Sequence, residues 1–192
     1  LKADFKQKNN DGNWNNTEVD FGVKMGNGTD YATAYDENGN IKKMQQWGLK
    51  IAKAQIDNLG YEYDGLSNRL LNVTDQYSDP NTKLGDFKDG SNGGYNSEQQ
   101  WPDYNYDVNG NMVVDRNKEI YGPGIIAGPG ILYNHLNLPQ EVIMHGKGTI
   151  KYVYDAAGNK LQKIVQETSK PDKVTTYIAG MVYENDVLQF AG

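Results

Sequence analysis

Apolar and polar residues alternate along this chain in short runs and never form long blocks. Val19-Asp20-Phe21-Gly22-Val23-Lys24-Met25 switches sides at nearly every residue, which is the period of a half-buried strand. Thr175-Thr176-Tyr177-Ile178 and Met181-Val182-Tyr183 are β-branched and aromatic, a composition suited to a pleated surface. From Trp47 to Asp57 the apolar positions Ile51, Ala52, Ala54 and Ile56 suit either a short helix or two strands, and the hairpins around them favour strands. Asn9 to Asn16 reads as a loop. No apolar run approaches the roughly 18 residues of a membrane-crossing helix, so no membrane span is predicted.

One phrase recurs where runs of opposite character meet. It reads Tyr35-Asp36-x-x-Gly39-Asn40, Tyr63-Asp64-x-x-Ser67-Asn68, Tyr106-Asp107-x-x-Gly110-Asn111 and Tyr154-Asp155-x-x-Gly158-Asn159. Composition alone gives such a match at roughly 10⁻⁴ per position, so four copies are a repeat, and repeats dictate architecture. Tyr ends a strand, and Asp opens a turn by accepting the backbone N–H two residues on. Gly supplies the positive φ that a short hairpin loop needs. A fifth, degenerate copy runs through Tyr133-Asn134-His135-Leu136-Asn137-Leu138-Pro139, with Asn134 in the Asp slot and Asn137 in the Gly slot. Asn tolerates the left-handed region best after Gly. Tyr61, Tyr104 and Tyr152 precede the repeat tyrosine by two residues, which puts two tyrosines on one strand face in three copies.

The repeat tyrosines are separated by 28, 43, 27 and 21 residues. About 20 residues make one hairpin and its return connection. The widest gap could hold two units or one unit with an insertion, and the polar stretch at about 76–101, rich in Gly, Asn and Ser, favours the insertion. The predicted organisation is an N-terminal strand and loop segment over 1–30, outside the repeats, followed by a hairpin array over 31–192. The predicted fold is all-β: tandem antiparallel hairpins forming a curved or spiral strip of sheet.

Over 31–192 the chain resembles the Rhs/YD-repeat family, which includes bacterial polymorphic toxins and the shells of insecticidal toxin complexes. The resemblance rests on the Tyr-Asp phrases and on Phe87-Lys88-Asp89-Gly90. It extends to Asp115-Arg116-Asn117-Lys118, to Tyr152-Val153-Tyr154-Asp155-Ala156-Ala157-Gly158-Asn159-Lys160-Leu161 and to Thr176-Tyr177-Ile178-Ala179-Gly180-Met181-Val182-Tyr183-Glu184. The Tyr133–Pro139 variant is similar to the Bacteroidetes branch. The resemblance implies a secreted or cell-surface protein whose repeats form a shell around a C-terminal, toxin-like domain. Its partners would be neighbouring repeats and that domain. The family's self-cleaving core carries paired Asp-Pro elements and an Asp-His-Leu-Gly stretch. Here the only Asp-Pro is Asp79-Pro80, inside the polar insertion, so the chain is expected to be a segment of a longer protein that ends before that core.

Composition narrows the chemistry. Tyr contributes 14 aromatic residues against three Trp and four Phe, and mean hydropathy is -0.78, which suits a wetted sheet with a thin core. A net charge of -6 leaves no basic stripe for nucleic acid. Lys42, Lys43, Lys50 and Lys53 read as a solvated face or edge protection. The absence of Cys excludes disulfides and thiol chemistry. Asp36-x-Asn38-Gly39 and Asp107-x-Asn109-Gly110 resemble fragments of a calcium loop, but Gly stands fourth instead of sixth, so turns are predicted and no metal site. Gly122 to Gly130 is read as a connecting loop, because Pro123 and Pro129 oppose a following helix. His135 is read as a turn residue; with His145 it completes the histidines, and no nucleophile–base or acid–base set can be assembled. Neither catalytic nor cofactor residues are predicted. Two binding roles remain: a glycan surface using Trp14, Trp47, Trp101 and tyrosines, and self-association through edge strands, with the hairpin from Thr175 to Phe190 as the first candidate.

Overall fold

The computed structural model describes residues 2–4, 6–8, 10–15, 21–49, 53–77, 87–89, 101–123 and 128–191. The chain divides into two units, Leu1–Asp103 and Tyr104–Gly192. Both are built mostly of antiparallel sheet.

The first unit contains β1 (Lys2–Asp4), β2 (Gln7–Lys8), β3 (Trp14–Asn15), β4 (Gly22–Met25), a helical turn α1 (Tyr31–Ala34), β5 (Lys43–Leu49), β6 (Lys53–Tyr63) and β7 (Leu70–Asp75). Five strands join in the order β1-β4-β5-β6-β7, and β2 pairs β3 separately. Ile56, Leu59, Val73 and Ala34 are its buried apolar side chains among the described residues. Buried carboxylates sit beside them, and each meets backbone donors as burial requires. Asp57 Oδ1 accepts from Phe87 N at 2.7 Å, and Asp75 Oδ1 from Asn58 N at 2.8 Å and Tyr77 N at 3.0 Å.

The outer edge of β7 is closed by side chains. Val73 N donates to Asp103 Oδ2 at 2.8 Å and Asp75 N to Asp89 Oδ2 at 3.1 Å. Asp103 N returns a bond to Asn72 Oδ1 at 2.9 Å. Carboxylate oxygens thus stand where the carbonyls of a further strand would stand.

The second unit begins with a hairpin of β8 (Tyr104–Tyr106) and β9 (Met112–Asp115), which bury Tyr104 and Val114. A seven-stranded meander follows in strict sequence order: β10 (Ile131–Tyr133), β11 (Pro139–Met144), β12 (Gly148–Tyr154), β13 (Lys160–Glu167), β14 (Lys173–Ile178), β15 (Met181–Glu184) and β16 (Val187–Ala191). Gly130 N donates to Val113 O at 2.7 Å, which ties β9 to the start of the meander. No described side chain from 131 to 190 is buried; every one is half-buried or exposed. The meander thus has a thin core, in keeping with the wetted sheet expected from the sequence. Cross-strand pairs line it, with Lys173 2.7 Å from Glu184 and Lys160 4.8 Å over the Tyr152 ring.

Several expectations change. Asn9 to Asn16 was expected to be loop, yet residues 14–15 form β3, because Gly12 at φ 82 lets the chain reverse after β2; Asn9 and Asn16 lie outside the described residues. Of the strand expected over Val19–Met25, Gly22–Met25 forms β4, and 19–20 lie outside the described residues. Trp47 to Asp57 belongs to β5 and β6 apart from 50–52, which also lie outside. Tyr35 follows a helical turn instead of a strand, because the Asp30 side chain accepts from Ala32 N and caps α1. Tyr35 then meets Ile41 in an isolated bridge. Most of the polar insertion lies outside the described residues, as do 124–127 of the glycine-rich loop, whose ends close through Gly122 N to Gly128 O at 2.7 Å. Thr175–Ile178 was expected near a sheet edge. It lies in β14, paired on both sides, and within the Thr175–Phe190 hairpin only β16 stands at an end of the meander, β10 being the strand at the other end.

Candidate functional site

The repeated feature with the most convergent chemistry is the loop that follows each repeat tyrosine. In three copies one carboxylate organises the whole loop. Asp36 Oδ1 accepts from Asn38 N at 2.9 Å and Asn40 N at 2.8 Å, while Oδ2 accepts from Asn40 Nδ2 at 2.8 Å. Asp107 does the same with Asn109 N (2.9 Å), Asn111 N (2.8 Å) and Asn111 Nδ2 (2.9 Å). Asp155 binds Ala157 N (2.9 Å), Asn159 N (2.8 Å) and Asn159 Nδ2 (2.8 Å). Gly39, Gly110 and Gly158 take φ 86, 89 and 87, the left-handed geometry expected of that slot.

The two variant loops differ in instructive ways. Asn134 Oδ1 accepts from Leu136 N at 2.9 Å and Leu138 N at 3.0 Å, and Asn137 supplies the left-handed residue at φ 57. An amide nitrogen now occupies the second oxygen's place and cannot accept. The residue that would donate to it is Leu138, where the other loops have Asn. Asp64 accepts from Leu66 N and the Ser67 hydroxyl, both at 3.0 Å. Asp64 N reaches Arg69 O, whereas Asp36 N and Asp107 N reach Asn40 O and Asn111 O, so this loop is one residue longer. Ser67 was expected to stand in for the glycine; the extra residue removes the need for a positive φ, and Ser67 has none.

These bonds favour the ionised carboxylates. The Asp36, Asp107 and Asp155 carboxyls are held below the ordinary carboxylate range, first by the side-chain amides of Asn40, Asn111 and Asn159. Asp64 is lowered chiefly by the Leu66 N–H and then by the Ser67 hydroxyl. Burial pushes the Tyr61, Tyr133 and Tyr154 hydroxyls up.

Successive loops touch through amides. Asn68 Oδ1 accepts from Asn38 Nδ2 at 3.0 Å and Asn40 Nδ2 at 2.9 Å. Asn137 Oδ1 accepts from Asn109 Nδ2 at 3.2 Å and Asn111 Nδ2 at 3.1 Å. Asn40 and Asn111 therefore divide their amide protons between their own Asp and the next loop. Further along, a Cβ on Gly158 would lie 3.2 Å from Leu138 Cδ1 and 3.6 Å from Leu136 Cδ1, so this loop seats against its predecessor by apolar contact.

Four of the five repeat hairpins also carry the same irregularity. The register slips between Glu62 and Tyr63, Asn105 and Tyr106, Leu132 and Tyr133, and Val153 and Tyr154. In each pair the facing strand holds one extra residue, a β-bulge that increases local twist. The same slip recurs between Val182 and Tyr183, a copy that reading the phrase alone misses. Its loop is only Asn185-Asp186, at φ 45 and 65, so no Asp-x-x-Gly spacing announces it. The signal was Val182-Tyr183-Glu184, which parallels Val153-Tyr154-Asp155.

Chemically, the loops are structural centres whose Asp carboxylates are engaged by internal donors. Among the described residues no group of three or more His, Asp or Glu is placed to hold a metal ion. His135 is an exposed loop residue, and His145 stacks on Tyr121 with ring centres 4.6 Å apart. Trp14 and Trp101 are exposed, while Trp47 lies beneath Lys24, whose Nζ is 5.5 Å from the ring. No helix among the described residues is long and apolar enough to cross a membrane. No family model matches the chain, and no curated protein matches it.

Proposed function

We propose that this chain is a non-catalytic structural segment of an Rhs/YD-repeat protein. In this reading its hairpins extend a sheet strip that, in the parent protein, encloses or presents a C-terminal, toxin-like domain outside the producing cell. The observation that carries the reading is the identical wiring of Asp36, Asp107 and Asp155, each of which uses both oxygens on its own loop. A carboxylate saturated in this way is a building element and a poor general base or ligand. The Tyr133 and Tyr154 hydroxyls likewise point at backbone carbonyls of the preceding hairpin.

The second reading is a carbohydrate-binding or adhesion module, favoured by the exposure of Trp14 (65%) and Trp101 (48%). A glycan array probed with the purified chain separates the two. Under the structural reading no glycan is retained above background, and a panel of hydrolase and nuclease substrates shows no turnover. Retention of one glycan class that disappears with Trp14→Ala or Trp101→Ala would replace the structural reading with the adhesion reading.

A further inference from the structure

We propose that Asn38 and Asn109 are latent self-modification sites, held unreactive by the amide bridge to the next loop and opened when that bridge is lost. Each stands directly before a glycine, in Asn38-Gly39 and Asn109-Gly110. This pairing is the most exposed to spontaneous deamidation, because glycine puts no side chain in the way of the attacking nitrogen. In the reaction the glycine nitrogen bonds to Cγ of the asparagine. The Cγ–Nδ2 bond breaks, the proton from the glycine nitrogen leaves with the departing ammonia, and a five-membered imide remains. Water then opens the imide to aspartate or isoaspartate.

Both loops hold the reacting atoms apart at two points. The nucleophile is engaged, since Gly39 N donates to Asp36 O and Gly110 N to Asp107 O, both at 3.1 Å. The leaving amide is engaged as well, since Asn38 Nδ2 donates to Asn68 Oδ1 and Asn109 Nδ2 to Asn137 Oδ1. The first lock is internal to the loop; the second belongs to the neighbouring loop. Reaction therefore scales with the fraction of time the neighbour is away, in the way that local opening controls exchange. The product locks the change in: a carboxylate at 38 or 109 offers no proton to the facing amide oxygen and adds a negative charge beside Asp36 or Asp107. Separation of adjacent hairpins would thus be recorded covalently and in one direction.

Asn27-Gly28 supplies an internal control. Its Gly28 N is bonded to Met25 O at 2.9 Å, and the Asn27 Oδ1 accepts from Thr29 and Asp30 within its own turn, in place of a bridge to a neighbouring repeat loop. The experiment incubates the full 192-residue chain at mildly alkaline pH and maps deamidation at 27, 38 and 109 by peptide mass spectrometry, folded and in urea. Folding is expected to slow reaction at 38 and 109 by about tenfold or more, the effect of a local opening free energy above about 1.4 kcal/mol. Asn68→Ala is expected to raise the rate at 38 alone. Asn137→Gly, which keeps the left-handed residue while deleting the acceptor, is expected to raise the rate at 109 alone. Asn68→Asp retains an acceptor oxygen and should leave 38 protected. Equal rates folded and unfolded, no selective rise in the Asn68→Ala and Asn137→Gly variants, or a uniform rise at all three sites would overturn the proposal.

Discussion

The Tyr133 hydroxyl donates to the carbonyl oxygen of Met112 at 2.8 Å. Tyr154 repeats the relationship with Pro139 at 2.9 Å, and in both cases the acceptor lies six residues after the preceding repeat tyrosine. A side chain thereby ties each of these two hairpins to the descending strand of the one before. Tyr133→Phe is expected to cost about 0.5–1.5 kcal/mol, the net worth of one hydrogen bond, with Tyr152→Phe as a near-neutral comparison. Urea unfolding of the variants, fitted for midpoint and slope, measures both.

Gly39 isolates backbone strain from packing. It sits at φ 86, and a Cβ there would meet nothing within 4 Å. Gly39→Ala should therefore destabilise by about 1–2 kcal/mol through left-handed strain alone. Gly39→Asn should cost less, since Asn137 fills the same slot at φ 57. Gly65→Ala, equally uncrowded but without positive φ, should be neutral or slightly stabilising. Thermal melts of the three variants decide the ordering.

Acid should weaken the loops in a defined direction. The carboxyls of Asp36, Asp64, Asp107 and Asp155 are lowered in the folded chain. Their stabilisation is thus complete above the unfolded value of about 3.9 and is lost as pH falls through the folded value. Chemical denaturation across that range should show stability falling toward low pH. Asp107→Asn should make the acid limb shallower, because one fewer proton is taken up on unfolding's acid side. An unchanged slope would show that Asp107 is not one of the groups responsible.

Asp155 and Asn159 should behave as a unit. Asp155→Asn alone sets one amide nitrogen against another, and Asn159→Leu alone leaves Asp155 Oδ2 without its 2.8 Å donor. The double variant recreates the arrangement of Asn134 and Leu138. Its stability is expected to exceed the sum predicted from the two single variants, a coupling that a double-mutant cycle measures.

Self-association, if the meander's end recruits a second copy, belongs to β16. Val187, Leu188 and Phe190 are 61, 50 and 61% exposed, and Val187–Ala191 carries no charge. Phe190→Pro should lower the weight-average mass in a light-scattering concentration series while leaving the fold intact. Ile178→Pro acts inside the sheet and should destabilise the meander itself. A chain that is monomeric at every concentration tested removes this role.

What could be read from residues alone was whatever a local motif encodes. Asp107 and Gly110 announce their loop because carboxylate capping and positive φ are decided within five residues. The tie from Tyr133 to Met112 was not legible, since it depends on how consecutive hairpins stack. The Tyr183 copy was hidden by a shorter loop that reaches the same register with different residues. Helical turn α1 was missed because its cap, Asp30, stands before a segment too short to show periodicity. The carboxylates that end β7 could not have been inferred, because Asp89 and Asp103 lie 14 and 30 residues from the amides they meet.

Those two aspartates give the five-stranded sheet a built-in terminator. An uncapped row of amides on an edge strand is a template for pairing with another chain. At β7 two amides of that row are already answered by carboxyl oxygens of the same polypeptide, so an incoming strand would have to displace them to pair there. Addition of a strand at this side therefore competes with bonds the chain already makes. The same residues bring a vulnerability: Asp89→Ala together with Asp103→Ala would leave the buried Val73 and Asp75 amides without these acceptors, and urea unfolding should show the loss of stability.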